Sequence, residues 1–361
     1  MIVMSDERTQ MKAVVIPEFG AAEVLREAAI AVPEPGAGQV SIDVAYAGAN
    51  FAEVLYRQGV VDVPLPFVPG IEVSGRIRAV GAGVEGFTVG QPVAALTIVD
   101  SGGYAEVAVT DARLVAPLAD GTAGRTGDET ADGTGGRTGS DPASGTGLDL
   151  ATAAALPSNS TTAFLVLDQI ARLAPGESVL VHAAAGGVGS QLGQVARLLG
   201  AGRVVGTVGS AAKVEVARGF GYDEVILRDE IDTAGRFDVV VDMVGGPARQ
   251  ASLDRLAPLG RLVVMGNASG AQDVGISANE LWFSNKTVSG FNLAAYSAAH
   301  PDRAGQALRR AARAASEGEL RIQVETVPLD QVVETHRRIE SGSTTGKLVL
   351  DVAGSARFGD S

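Results

Sequence analysis

Cysteine is absent from all 361 residues. That excludes disulfides, thiolate-bound zinc and a cysteine nucleophile. Histidine is nearly as scarce, and His182, His300 and His336 stand far apart, which argues against a histidine-rich metal site. Lysine occurs only as Lys12, Lys213, Lys286 and Lys347, and the formal net charge is −13. With no concentrated basic surface to meet a phosphate backbone, no nucleic-acid partner is expected. No apolar run approaches the length that spans a bilayer, and residues 1–10 lack the basic-then-apolar pattern of a secretory signal. The expectation is a cytoplasmic protein with no membrane partner, whose first ten residues form an unstructured leader. The length suits two domains, each large enough for its own core.

What is present is led by a glycine turn. The short apolar run Ser178-Val179-Leu180-Val181 leads into His182-Ala183-Ala184-Ala185-Gly186-Gly187-Val188-Gly189, and residues 190–199 have a helical pattern. The spacing Ala184-x-Gly186-x-x-Gly189 is the dinucleotide-binding fingerprint with alanine first. Backbone N–H groups and the positive helix end meet the pyrophosphate where side chains are missing. Further strands are read at 203–208, 224–227, 237–241, 260–265 and 287–291, with a helix at 211–219. These runs are short, β-branched and apolar on both faces, as a parallel sheet covered by helices requires. The fold class is therefore α/β. Residues 155–292 form a doubly wound parallel-sheet (Rossmann) domain with its ligand at the carboxyl ends of the strands.

The first 118 residues read as β-rich, with strands at 11–16, 40–46, 72–81 and 90–96, which suggests a compact barrel-like domain. After residue 294 come a long helix at 301–317, a strand, a helix and a last strand at 347–352. That last strand is expected to return to the N-terminal domain, so the second domain is discontinuous: 11–154 and 293–355. Residues 119–147 hold no large apolar side chain and contain a near-repeat of Asp-Gly-Thr-x-Gly-Arg-Thr-Gly. A calcium-binding repeat lacks its usual period and apolar position here, and a disordered surface insertion is the expectation.

The ordered set of motifs resembles the zinc-independent quinone oxidoreductases (the zeta-crystallin group) of the medium-chain dehydrogenase/reductase superfamily. The matching pieces are Gly48-Ala49-Asn50-Phe51, Tyr56-Arg57-Gln58-Gly59, Pro69-Gly70-Ile71-Glu72, Val89-Gly90-Gln91-Pro92-Val93, Ala153-Ala154-Ala155-Leu156-Pro157, the glycine turn, Gly266-Asn267-Ala268-Ser269-Gly270 and Thr345-Gly346-Lys347-Leu348-Val349. The resemblance implies that the β-rich domain is GroES-like. Zinc-dependent members place a cysteine where Asn50 falls and a histidine where Ile71 falls, so the resemblance implies no metal. It further implies direct hydride delivery from NADPH to a small quinone or activated alkene by proximity and orientation, and a homodimer paired through the edge strand at 287–291.

An NAD-binding domain carries an acid at the end of its second strand, whereas this chain has Val208-Gly209-Ser210. Ser210 and Lys213 match family positions that meet a 2′-phosphate, and Arg228 stands near a family tyrosine with the same duty. The remaining cofactor contacts implied are Asn50, Thr162, Ala185, Gly186, Gly187, Val188, Gly189, Val244, Gly266, Asn267, Ser269, Phe291 and Lys347. Asn50 and Tyr56 are the catalytic candidates: Asn50 as hydrogen-bond donor, Tyr56 as orienting group, proton relay or plain wall. Glu72 is read as half of a structural ion pair, and His182 as a satisfied, partly buried histidine. Asp242 is read either as a turn cap or as a cofactor contact. Residues 60–67 and 291–296 are expected to line the substrate pocket. The competing functions are an enoyl-thioester reductase and a non-catalytic NADPH-binding protein of the crystallin type.

Overall fold

The computed structural model of the chain describes residues 9–119 and 147–354. The expected insertion at 119–147 lies outside the described residues apart from its two ends, as does most of the expected leader. Gln10, however, already belongs to the first strand, β1 (Gln10–Val15), because it pairs with Ala31 of β2 (Arg26–Ala31) in a two-stranded antiparallel sheet. Residue 10, expected in the leader, is therefore part of the sheet.

Five strands of a seven-stranded, largely antiparallel sheet follow, the other two coming from the end of the chain: β3 (Gln39–Gly48), β4 (Glu72–Val80), β5 (Pro92–Leu96), β6 (Val107–Asp111) and β7 (Val115–Pro117). β3 pairs with both β4 and β6 and so curls the sheet on itself. Its alternating pattern puts Val40, Ile42 and Val44 in the core.

The second sheet is parallel: β8 (Ser178–Val181), β9 (Arg203–Val208), β10 (Glu224–Leu227), β11 (Phe237–Asp242), β12 (Leu256–Val264) and β13 (Thr287–Gly290), in the spatial order β10-β9-β8-β11-β12-β13. This is the doubly wound order, whose switch point lies between β8 and β11. Val179, Leu180 and Val181 are fully buried, each worth about 1.5–3 kcal/mol of transfer free energy. β8 starts at Ser178 because its N–H and hydroxyl both donate to Asp238 Oδ2, at 2.8 and 2.7 Å. β12 begins earlier than expected, at Leu256, and the segment expected to be one helix at 211–219 is a 3₁₀ turn (Ala211–Lys213) followed by the short helix Val214–Arg218.

The chain then returns. β14 (Val324–Pro328) runs parallel to β15 (Lys347–Asp351), and β15 lies antiparallel to β3 beside Tyr46–Gly48. The last strand thus closes on the first domain, as expected. Helix Pro301–Ser316 opens on proline, where the missing N–H is harmless, and buries Ala304, Leu308, Ala311 and Ala315 on one face. It approaches the 3₁₀ turn Ala112–Leu114 between β6 and β7 so closely that a Cβ on Gly305 would lie 1.8 Å from the Arg113 carbonyl oxygen. Among the described residues no helix is long and apolar enough to cross a membrane.

Candidate functional site

A cleft of about 690 Å³ opens between the two sheets. One wall is built from the carboxyl ends of the parallel strands: Ala183 and Gly186–Gly189 after β8, Met243 after β11, Met265–Ala268 after β12 and Phe291 after β13. The helix after the turn starts at Gly187, three residues before the sequence pattern suggested, with Gly186 at its N-cap. Its first N–H groups therefore face the cleft. The glycines are required by contact: a Cβ on Gly189 would sit 2.2 Å from the Ala183 carbonyl oxygen, and one on Gly187 would sit 2.5 Å from Asn159 Nδ2. Ala183 itself holds φ at 53°, the left-handed region, to make the turn.

The opposite wall comes from helix Phe51–Arg57 and from β15. Asn50 and Tyr56 line it, with Thr162 and Lys347 alongside. Nothing among the described residues hydrogen-bonds the Tyr56 hydroxyl, while its ring packs edge-on to Phe67 at 5.5 Å. Burial, and then the nearby Glu53, push the Tyr56 hydroxyl up to about 12, so it stays protonated at neutral pH.

Beneath this wall lies a buried polar network. Lys347 Nζ donates to both Asn50 Oδ1 and Glu72 Oε1. Asn50 Nδ2 donates to Glu72 Oε1 at 2.9 Å and to the Gly48 carbonyl at 3.3 Å, and the Ser158 N–H donates to Glu72 Oε2 at 2.6 Å. Glu53 accepts from the Asn50 N–H at 3.0 Å and from the Ile71 N–H at 3.1 Å. Glu53 and Glu72 are both fully buried, and burial pushes the Glu53 carboxyl up to about 7, opposed by the charge of Lys347. Glu72 is in the ion pair its sequence context suggested. Asn50 differs from its expected role in one respect: protein groups occupy its amide on both sides, since the lysine that follows the last turn reaches it.

The remaining sequence candidates divide by place. Gly266, Asn267 and Phe291 line the cleft with the glycine turn and Val188. Ala185 and Val244 are buried behind it. Ala185 accepts the Gly346 N–H at 3.0 Å, and Val244 donates its N–H to Asp242. Ser269 hydrogen-bonds Asn267 and the Ala271 N–H at the loop surface. Ser210, Lys213 and Arg228 form a separate group at the ends of β9 and β10, where Leu227 pairs with Val208. Arg228 Nη2 lies 3.5 Å from where a Cβ on Gly209 would stand, and the arginine makes no ion pair among the described residues. Lys213 Nζ donates to the carbonyls of Gly342 and Thr344, and burial, then Arg228, lower its affinity for a proton.

Two expectations need correction, for His182 and for residues 60–67, and one of the two roles read for Asp242 is seen. His182 is fully rather than partly buried, with Nδ1 2.9 Å from Thr207 Oγ1 and Nε2 2.8 Å from Ser252 Oγ. Asp242 resolves to a turn cap: it accepts from the N–H groups of Val244 and Gly245 and from Arg249. Of residues 60–67 only Val61 lines the cleft, because the segment folds back along Ile16, whereas 291–295 line it throughout. Sequence reasoning missed Glu53, Asn159, Met243 and Met265. Glu53 carried a signal, an acid three residues after a helix-starting asparagine.

Residues 36–120 match the family model described as alcohol dehydrogenase GroES-like domain, and residues 220–350 the one described as zinc-binding dehydrogenase. A probable quinone oxidoreductase of Schizosaccharomyces pombe is 31% identical, over 93% of this chain and 95% of that protein. The synaptic vesicle membrane protein VAT-1 homolog-like of Mus musculus is 29% identical, over 95% of this chain and 82% of that protein. Among solved structures, Escherichia coli quinone oxidoreductase complexed with NADPH superposes with a TM-score of 0.78 at 25% identity, covering 94% of this chain and 99% of that one.

Proposed function

Since the chain belongs to the quinone oxidoreductase group of the medium-chain dehydrogenase/reductase superfamily, we propose that it is an NADPH-dependent reductase that acts on a quinone or an activated alkene without zinc. The domain division at 11–154 with 293–355 and at 155–292 belongs to the same reading. The observation that carries it is the pairing across the cleft of an open glycine turn with the unpartnered Tyr56 hydroxyl.

Bound NADPH supplies the hydride. The turn at Gly186–Gly189 would hold the pyrophosphate by backbone N–H groups, and Met243, Asn267 and Phe291 would flank the nicotinamide half. Ser210, Lys213 and Arg228 would hold the 2′-phosphate, with Arg228 standing over Gly209 where an acid would select NAD. The protonated Tyr56 hydroxyl would orient the acceptor oxygen and donate to it.

The residues beneath the cleft do not suit zinc. Ile71 offers no donor atom, and Lys347 already places an ammonium on the Glu72 carboxylate. An ammonium supplies the countercharge there, so acceptors that need little polarisation are favoured. A homodimer fits the open edge of β13, beside which Trp282 and Phe283 stack at 4.7 Å while 71% and 77% exposed. Trp282→Asp is expected to yield a monomer by sedimentation, and an unchanged mass would contradict it.

The test is NADPH oxidation with a naphthoquinone, an alkyl enone and a crotonyl thioester, with NADH in parallel. Turnover of quinone or enone with NADPH preferred is expected. Turnover of the thioester alone would move the reading to an enoyl-thioester reductase, and tight binding without turnover would move it to a binding protein.

A further inference from the structure

Away from the cleft, the described core holds a cluster of polar side-chain atoms without partners. The Tyr104 hydroxyl, both ring nitrogens of His336, and Nε of Arg57 are buried and unbonded. Tyr104, His336 and Arg57 are all fully buried, and the Tyr104 and His336 rings meet edge-on at 6.0 Å. Buried polar groups are satisfied by protein or by internal water, and this many in one place mark a hydrated pocket.

The cluster has two ends. At one end Tyr104 stands against the segment that holds Glu53. Its N–H donates to the Pro69 carbonyl at 2.9 Å, and two residues on the Ile71 N–H donates to Glu53. The charges of Glu53 and Glu72 both act on the Tyr104 hydroxyl. Glu53 and Tyr56 are three apart on helix Phe51–Arg57, hence neighbours on one face, and Tyr56 lines the cleft. At the other end Arg57 Nη2 pairs with Glu340 at 2.6 Å, and Gln58 Nε2 donates to the same carboxylate at 2.7 Å. Glu340 is four residues beyond His336 on helix Val332–Glu340, and its side chain is 28% exposed.

We infer that Tyr104, His336 and Arg57 enclose internal water joining the buried Glu53 carboxyl to solvent at Glu340, and that each turnover draws its proton along this path. The second half rests on the reductase reading. That reaction takes a hydride with its electron pair from NADPH and one proton, giving NADP⁺ and the hydroquinone or saturated ketone. The Tyr56 O–H bond breaks as the acceptor gains the proton. The tyrosinate regains one from the Glu53 carboxyl, and the Glu53 carboxylate is reloaded through water from the Glu340 end. Glu53 is faced by Glu72, Lys347, Tyr56 and Tyr104, whereas His336 is faced by Arg57 and the Tyr104 ring. Burial, and then Arg57, lower His336 to about 3, so the imidazole stays neutral, able to accept on one nitrogen and donate from the other. Tyr104, His336 and Arg57 are positioning residues; none lines the cleft.

The test uses the full-length, ligand-free protein at pH 6, below the value of about 7 to which burial pushes the Glu53 carboxyl. Its carboxyl infrared band, assigned by its loss in Glu53→Gln, is followed after dilution into D₂O. Rapid exchange is expected in the wild type and in His336→Gln, which keeps polar atoms in place. Exchange roughly tenfold slower or more is expected in Tyr104→Phe and His336→Leu, together with a lower kcat at unchanged NADPH KM and a larger solvent isotope effect. Absence of the band, or equal exchange rates in all four proteins, would overturn the path. Exchange as expected in a protein that reduces no acceptor would keep the path, overturn its catalytic use, and locate the failure in the reductase reading.

Discussion

Replacing Lys347 by methionine removes the ammonium that bonds both Glu72 and Asn50 while keeping the stem that packs in the wall. Among the described residues, the Glu72 carboxylate is then left fully buried with the Asn50 amide and the Ser158 N–H as its donors. Breaking one side of a buried pair costs about 3–5 kcal/mol. Glu72→Gln alone strands the ammonium and is expected to destabilise by a similar amount. The double variant strands neither charge, so its loss should fall short of the summed single losses by roughly 1–3 kcal/mol. Lys347 also opposes the upward push on Glu53, so K347M should raise that carboxyl further and shift its infrared titration to higher pH. Chemical denaturation of the four proteins at pH 7, with m-values compared to exclude a change in the unfolded state, measures the coupling. Additive losses, or a stable K347M, would refute the claim that this pair closes the floor of the cleft.

Three further expectations follow from the same geometry. Arg228→Ala should weaken NADPH binding ten- to a hundredfold, about 1.5–3 kcal/mol for lost charge-assisted bonds, and leave NADH binding unchanged; equal loss for both by calorimetry would contradict the 2′-phosphate assignment. Tyr56→Phe should lower kcat about a hundredfold at constant NADPH KM, whereas an unaltered kcat would make the tyrosine a plain wall. Stability should fall on acidification below pH 6.5, because His182 and His336 are held at about 4 and about 3 and the folded state binds fewer protons than the unfolded one there. Each contributes up to roughly 1.4 kcal/mol per pH unit across its window. Glu53, raised to about 7, acts with the opposite sign between pH 4.5 and 7, so Glu53→Gln should steepen the acid loss in denaturation series and His336→Leu should flatten it.

The parallel sheet was legible because its strands are apolar on both faces and punctuated by glycine. The observed β8, β9 and β10 coincide with the runs read at 178–181, 203–208 and 224–227. Helix starts were less legible. Gly187 and Gly189 look like turn residues yet lie inside the helix, since what they supply is the close approach to Asn159 and Ala183 rather than flexibility. Side chains along the cleft were readable where a strand end or motif names them, as for Gly266, Asn267 and Phe291. Glu53, Tyr104 and His336 were not, because their relation arises from the packing of helix Val332–Glu340 on a segment more than two hundred residues earlier. No local pattern encodes such a contact.

The most direct measurement follows the label in C4-deuterated NADPH through turnover by protein dialysed against a strong chelator and shown to be metal-free. With an enone acceptor and NADPH deuterated at both C4 positions, one deuterium on carbon is expected in the saturated ketone, at a rate unchanged by added zinc. Turnover that vanishes with the metal and returns with it, or product without the label in an acceptor that forms a C–D bond, would contradict it.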